Sequence, residues 1–163
     1  MKTAGLIGGM SWESTVPYYQ VMNRVVGEAL GGLHSARMVL YSVEFQEIEQ
    51  LQHAGQWAEA GEILASAGRA VERAGADFLV LCTNTMHKVA PQIEAAVDVP
   101  LLHIADATAT RVRSVGVERV GLLGTRFMDA RGYLMSDLPA HVEAADVALI
   151  AATAFALCCL STL

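Results

Sequence analysis

One segment of seven residues, 81–87 (LCTNTMH), is the most informative part of this sequence about possible chemistry. It places a thiol, two hydroxyls, an amide and an imidazole directly after an apolar run. If a helix begins here, its unpaired backbone amides favour a carboxylate, and its positive end favours the thiolate of Cys82. A purely structural interpretation fits as well, with Cys82 as a small buried strand residue and Thr83 or Asn84 as the helix cap. His87 would then lie on the helix surface.

Two other loops follow apolar runs and could contribute to the same site. The first, GGMS at residues 8–11, lacks the third glycine of a dinucleotide-binding fingerprint, because residue 13 is glutamate. It could bring backbone amides close to a small anion, or it could be only a tight turn from strand to helix. The second is GTR at residues 124–126.

The familiar metal-binding and hydrolase patterns do not occur in this sequence. Its five histidines stand singly, with no HExxH motif and no pair four residues apart, so we expect no metal site. The sequence also has neither a GxSxG nucleophile elbow nor a GxxxxGKS/T phosphate loop.

The charge and cysteine content narrow the class of partners. A net charge of −6 and 11 scattered basic residues argue against nucleic acid and anionic lipid as partners. The three cysteines, Cys82, Cys158 and Cys159, are an odd number with two adjacent, which is a poor disulfide framework. The N-terminal apolar run is broken by Gly8 and Gly9 and is too short for a signal peptide. We therefore expect a cytoplasmic protein.

Strand-like and helix-like segments alternate along the chain. The predicted strands cover residues 3–7, 36–43, 78–81, 99–103 and 120–123, and the predicted helices cover residues 13–30, 45–52, 57–73, 86–96 and 105–115. Such alternation predicts an α/β fold with a mostly parallel sheet and flanking helices. Ligands of such sheets bind at the carboxyl ends of the strands, where the three loops above would lie.

A weak internal repeat suggests the domain organisation. GLIGGM at residues 5–10 resembles GLLGTR at residues 121–126, each an apolar run entering a turn. We expect a first α/β domain over residues 1–116 and the start of an incomplete second one over residues 117–163. The last 17 residues, 147–163, carry no charge but are shorter than the about 20 residues of a membrane span. We expect them to be buried on the first domain or in a homodimer contact, with no membrane partner.

Several motifs together resemble the aspartate/glutamate racemase family, and most closely its bacterial L-aspartate/glutamate-specific branch. They are GLIGGMSWEST at residues 5–15, GGLHSA at 31–36, LCTNTMHKVA at 81–90, LLHIADAT at 101–108 and VGLLGTR at 120–126. The resemblance covers about residues 1–127. It implies two similar α/β domains, the first complete here, and racemisation of acidic amino acids without pyridoxal phosphate or a metal.

The resemblance also implies a two-base mechanism, in which each domain supplies one acid/base residue to one side of the substrate Cα. Much of the family has a Cys-Asn-Thr-x-His string at the first catalytic position. Thr83 stands in place of that cysteine here, as in the L-specific branch. Cys82 is the fallback candidate, but neighbouring strand residues point to opposite faces, so we expect its thiol to face away from substrate.

The positions that match the family's substrate-binding residues surround this string. They are Gln52, Asn84, Thr85 and Met86, with Met10, Ser11 and Thr125 as weaker candidates. We expect the substrate to be a small acidic amino acid.

The second catalytic cysteine of the family lies in a Gly-Cys-Thr-Glu string, and this sequence has no such string. We therefore expect a C-terminally truncated racemase whose activity is impaired. The alternative is a non-catalytic fragment that at most binds small acidic amino acids. A related decarboxylase or isomerase with the same two-cysteine architecture is a weaker alternative.

Overall fold

The computed structural model describes residues 1–116. The four strands are β1 (Thr3–Gly8), β2 (Arg37–Ser42), β3 (Phe78–Leu81) and β4 (Leu101–Leu102). The five α-helices are α1 (Trp12–Leu30), α2 (Phe45–Ala54), α3 (Trp57–Arg73), α4 (Ala90–Glu94) and α5 (Ile104–Ser114). A 3₁₀ turn, Thr85–Val89, joins β3 to α4.

The four strands form one parallel sheet in the order β2-β1-β3-β4. The chain first moves outward from β1 to β2 and then returns to place β3 on the other side of β1. The carboxyl ends of β1 and β3 are therefore neighbours at the point where the strand order reverses. Open α/β sheets bind their ligands in the crevice at this point.

Two apolar layers cover the two faces of the sheet, and alternate residues of each strand belong to one layer or the other. Leu79 and Leu81 of β3 belong to one layer, which contains buried residues of α2, α3 and α4 such as Leu64. Phe78 and Val80 belong to the other layer, which contains buried residues of α1 and α5. All of β3 is buried because both of its faces are covered, as is usual for a parallel sheet. The expected α/β class is confirmed.

The predicted helix over residues 86–96 is wrong, because the segment divides into the 3₁₀ turn Thr85–Val89 and the short helix α4. Pro91 explains the division. It has no backbone N–H and cannot donate to the carbonyl of His87, so that carbonyl accepts from Ala90 instead. The predicted strand over residues 99–103 is also too long, since β4 has two residues.

Helix α1 begins at Trp12, one residue before the predicted start at residue 13. Ser11 is the N-cap residue, but its side chain makes no capping hydrogen bond. Instead, Ser14 and Thr15 of the first turn donate to the Ser11 carbonyl at 2.8 Å and 3.3 Å. Gly31 ends the helix with φ of 73°, as its position in the sequence indicates.

Some predictions fall outside the described residues. They are the strand over 120–123, the second domain over 117–163, and the packing of the segment 147–163. Among the helices of residues 1–116, none is both long enough and apolar enough to cross a membrane.

Candidate active site

The loops that follow β1 and β3 are held side by side. The hydroxyl of Ser14 lies 2.8 Å from the carbonyl oxygen of Ser11 and 3.2 Å from that of Cys82, so its single hydrogen is within hydrogen-bond distance of an acceptor in each loop. The amide of Cys82 donates to the carbonyl of Ile7 at 2.9 Å and continues the pairing of β3 with β1. Two of the three loops predicted to form the site are thus in contact.

The loop after β1 depends on glycine. Gly9 has φ of 95°, and a Cβ built there would lie 2.3 Å from the carbonyl oxygen of Val43. The amide of Gly9 donates to the hydroxyl of Thr15 at 2.9 Å. Only glycine combines this backbone conformation with such a close approach of another chain segment. The result is a fixed turn that leaves Ser11 half-buried and places the Met10 side chain in the core, 6% exposed.

Cys82 is sealed from solvent. Its side chain is fully buried with Tyr18 and Ile104 in the layer on the α1 and α5 side of the sheet. Burial raises the pKa of the Cys82 thiol far above its usual range, because the thiolate would lose its hydration. The pKa of Tyr18 is raised for the same reason, and the neighbouring Cys82 adds to the effect. A buried thiol in an apolar layer is a structural residue rather than a nucleophile.

Thr83, the next residue, is half-buried and retains access to the crevice. Its amide donates to the carbonyl of Leu81 at 2.9 Å, so the backbone turns sharply at the end of β3. Within residues 1–116, no protein group forms a hydrogen bond with the Thr83 hydroxyl. This hydroxyl is therefore available to a ligand.

Gln52, at the end of α2, reaches the same loop. Its side-chain amide donates to the sulfur of Met86 at 2.9 Å, across 34 residues of sequence. Thioether sulfur is a weak acceptor, so the contact orients the carboxamide and leaves its oxygen and second N–H for other partners. The Met86 side chain is fully buried, so only its backbone remains for contact with substrate. Asn84 and Thr85 are half-buried on the same loop.

His87 lies inside the protein, and the interpretation that places it on the helix surface is wrong. It is 3% exposed, and its Nδ1 lies 2.8 Å from the carbonyl oxygen of Thr83. Its Nε2 accepts from the amide of Ile104, the first residue of α5, at 3.3 Å. Burial lowers the pKa of His87 to about 3, and the His103 ring, 4.5 Å away between centroids, acts in the same direction. Its position four residues after Thr83 was the signal in the sequence for this backbone contact.

The structure thus places Met10 and Ser11 after β1 and the string from Thr83 to Met86 after β3, with Gln52 of α2 in contact with Met86. Thr125 lies outside the described residues. In residues 1–116, no group of three or more His, Cys, Asp or Glu side chains could hold a metal ion. The arrangement offers hydroxyl, amide and backbone groups to a small polar ligand.

A parallel α/β domain with polar loops at the crevice between its central strands defines a small-ligand-binding class. Comparison with known proteins is more specific. A sequence profile of the Asp/Glu/hydantoin racemase family matches residues 7–159, well over half of the chain. The chain therefore belongs to this family of amino-acid racemases, which are isomerases. The match continues beyond residue 127, where the motifs that carry the resemblance end.

Solved structures agree with this assignment. A proposed Asp/Glu racemase from Yersinia pestis is 48% identical, with a TM-score of 0.81 over 99% of this chain and 73% of that one. An aspartate racemase homologue from Pyrococcus horikoshii is 34% identical, with a TM-score of 0.77 over 87% of this chain and 64% of that one. An aspartate racemase from Picrophilus torridus is 20% identical, with a TM-score of 0.67 over 91% of this chain and 65% of that one, and shows the shared fold. The chain thus spans about two thirds to three quarters of these proteins' lengths.

Proposed function

We propose that this chain forms the Thr83-bearing half of a site that racemises acidic amino acids, L-aspartate or L-glutamate, to their D-forms. The observation that carries the proposal is the contrast at the end of β3. Thr83 is half-buried and its hydroxyl makes no hydrogen bond within residues 1–116, whereas the side chain of Cys82 is fully buried. Asn84 and Thr85 follow on the same loop, and Gln52 reaches it through Met86. These groups supply donors for a substrate carboxylate.

The chemistry requires two groups on opposite sides of the substrate Cα, because a single group returns a proton only to the face it left. The Cα proton is weakly acidic, so the site must also stabilise negative charge as it develops toward the carboxylate. An alkoxide forms far less readily than a thiolate. We therefore assign Thr83 to proton donation: its hydroxyl delivers a proton to one face of the planar carbanion while its oxygen takes up a proton from solvent water, so that no free alkoxide is left. The thiolate of a cysteine on the opposite side abstracts the proton from the L-substrate and becomes the thiol, which returns that proton to solvent.

The opposite cysteine would come from the family's Gly-Cys-Thr-Glu string, which this sequence lacks. A second candidate function, for residues 1–163 by themselves, is binding of small acidic amino acids without racemisation, because these residues supply only one of the two groups that the reaction needs. Thr83 and its neighbours suffice for binding under this alternative, but not for turnover. The two functions share one site and differ only in whether the Cα proton exchanges.

Calorimetric titration and proton exchange separate these functions. We expect L-aspartate or L-glutamate to bind the 163-residue protein and Thr83→Val to weaken binding about tenfold, the effect of one hydrogen bond to a charged group. We expect little α-proton exchange in D₂O, as judged by NMR. Cys82→Ala is the matched control, and we expect it to leave binding unchanged.

The outcomes are distinct. Exchange of the α-proton with formation of D-amino acid would show the complete racemase. Binding without exchange would support the binding function, and failure of both amino acids to bind would contradict both proposals. A loss of binding in Cys82→Ala with none in Thr83→Val would reverse the assignment of the two residues.

A further inference from the structure

We propose that His87 is a positioning residue of this site, a neutral imidazole that ties the backbone of Thr83 to the start of α5 and thereby fixes the Thr83 hydroxyl in the crevice. The proposal deepens the proposed function and rests on it, because it assumes that Thr83 faces the substrate. The geometry of His87 itself can be tested without any substrate.

Two contacts of the His87 ring, with Thr83 and with Ile104, indicate its protonation state. A carbonyl oxygen only accepts, so the Nδ1 that lies 2.8 Å from the Thr83 oxygen carries a hydrogen. A backbone amide only donates, so the Nε2 that lies 3.3 Å from the Ile104 nitrogen carries a lone pair. Together they specify the neutral Nδ1–H tautomer. Protonation of Nε2 would set two N–H groups against each other and break the link to α5.

The surroundings of His87 oppose a positive charge. The ring is 3% exposed and meets the His103 ring at 68°, with 4.5 Å between centroids. Ile104 is the first residue of α5, so the positive end of that helix also faces the ring. The acidic residues of this region, Asp106 and Glu94, act on the partly exposed His103 instead. Burial and the His103 ring lower the pKa of His87, and they outweigh the backbone hydrogen bonds with Thr83 and Asn84, which favour the charged form.

A buried imidazole needs a reason, because an apolar side chain fills the same space without the cost of burying polar atoms. The loop that carries Thr83 supplies one. It runs into a 3₁₀ turn, whose hydrogen-bond geometry is poorer than that of an α-helix. Only two residues of β4 pair with β3 beside it. His87 joins the carbonyl of Thr83 to the junction after β4 and so provides the rigidity that these short elements lack.

The tautomer and protonation of His87 are measurable by ¹⁵N-detected NMR of histidine-labelled protein. We expect a protonated Nδ1, an unprotonated Nε2 and no titration of this ring between pH 5 and pH 8. An Nε2–H tautomer, or a midpoint near the ordinary pKa of about 6.5, would overturn the proposal. Neither result depends on substrate, so the outcome stands whether or not the proposed function is correct.

Two variants separate positioning from simple core stability. In His87→Asn, the amide nitrogen takes the place of Nδ1 and keeps the donor to Thr83. In His87→Gln, the longer side chain keeps a polar group near Nε2 and loses that donor. Each variant loses one buried hydrogen bond, so we expect similar falls in thermal stability, whereas the exposed His34→Gln should behave as wild type.

Binding of L-aspartate, or of L-glutamate if it binds more tightly, then distinguishes the two roles. We expect His87→Asn to bind within about threefold of wild type and His87→Gln to bind about tenfold more weakly, which corresponds to loss of the contact that orients Thr83. Equal affinities in the two variants, or affinities that follow stability alone, would leave His87 as a core residue and overturn the positioning role. If wild type binds neither amino acid, the proposed function fails. Amide hydrogen exchange at residues 83–86 then tests whether His87 holds the loop that carries Thr83. We expect faster exchange in His87→Gln than in His87→Asn, and equal rates would contradict the positioning role of His87.

Discussion

Cys82 and Thr83 are adjacent in the sequence, yet their side chains have opposite environments. The alternation of β3 sends Cys82 into the layer with Tyr18, while Thr83 follows at the crevice. In a sequence without a structure, the thiol is the more conspicuous candidate for chemistry. Access to substrate, rather than intrinsic reactivity, decides between the two residues.

The burial of Cys82 predicts resistance to alkylation. We expect iodoacetamide at pH 8 to modify Cys82 in the native protein at least about a hundredfold more slowly than in guanidinium, because both burial and a raised thiol pKa suppress the reaction. Peptide mass spectrometry isolates Cys82 from the other two cysteines. Comparable rates in the two states would show that the thiol reaches the crevice.

His87 also predicts how stability depends on pH. Its pKa is lowered to about 3 in the folded protein, first by burial and then by His103, whereas the unfolded chain has an ordinary pKa near 6.5. Below pH 6.5 the unfolded state therefore binds a proton that the folded state does not. The stabilisation is complete above pH 6.5 and is lost as the pH falls from 6.5 toward 3, by at most about 1.4 kcal/mol per pH unit for this histidine. The partly exposed His103 adds a smaller effect of the same sign.

Urea titrations at pH 7.5 and pH 5.0 measure this dependence. We expect wild type and His34→Gln to lose stability in parallel between the two pH values. His87→Gln should be less stable at pH 7.5 but should lose less on acidification. An identical decline in wild type and His87→Gln would show that His87 does not cause it.

At the scale of elements, the sequence predicts most helices and strands but not the details that build the site. The glycines at 8–9 and 31–32 mark real turns, and α3 occupies the residues expected from its apolar spacing. The predicted helix over residues 86–96 is wrong because Pro91 interrupts a segment whose apolar periodicity continues across it. The burial of His87 was missed because it depends on α5, a partner 17 residues away. Local pattern carries no information on such a contact.

The turn after β1 provides a prediction with an internal control. Gly9→Ala places a Cβ 2.3 Å from the Val43 carbonyl at φ of 95°, so we expect it to lower the free energy of unfolding by about 3 kcal/mol. Gly55→Ala has a similar positive φ of 72° in the ordinary left-handed region and no atom within 4 Å of its Cβ, so we expect a loss of only about 1 kcal/mol. Urea denaturation measures both values. Equal losses would show that backbone conformation alone, and not the contact with Val43, requires Gly9.

At the scale of the whole molecule, the order of the strands creates the site. The loops that follow β1 and β3 are far apart in the sequence and are joined through Ser14 because β1 and β3 are neighbours while β2 lies outside them, and Gln52 reaches the second loop through Met86. Alternating strands and helices predict a parallel sheet and the edge at which ligands bind. They do not predict the order of the strands in the sheet, and therefore not which two loops lie at the crevice. The strand order depends on how the helices pack on the two faces of the sheet.

The two-layer packing predicts where the fold is most sensitive to substitution. Leu79, in the middle of β3, is fully buried against α3 between β1 and β4, so Leu79→Ala leaves a cavity that rigid neighbours on both sides cannot close. We expect it to lower the free energy of unfolding by about 3 to 5 kcal/mol, a large part of the stability of a typical domain. Leu33→Ala makes the same chemical change at a fully exposed position, and we expect an effect within about 0.5 kcal/mol. Leu79 lies on β3 four residues before Thr83. Loss of its packing should therefore also weaken binding of L-aspartate more than Leu33→Ala does. Stable, fully binding Leu79→Ala protein would contradict the central position of β3 and, with it, the account of how the crevice is formed.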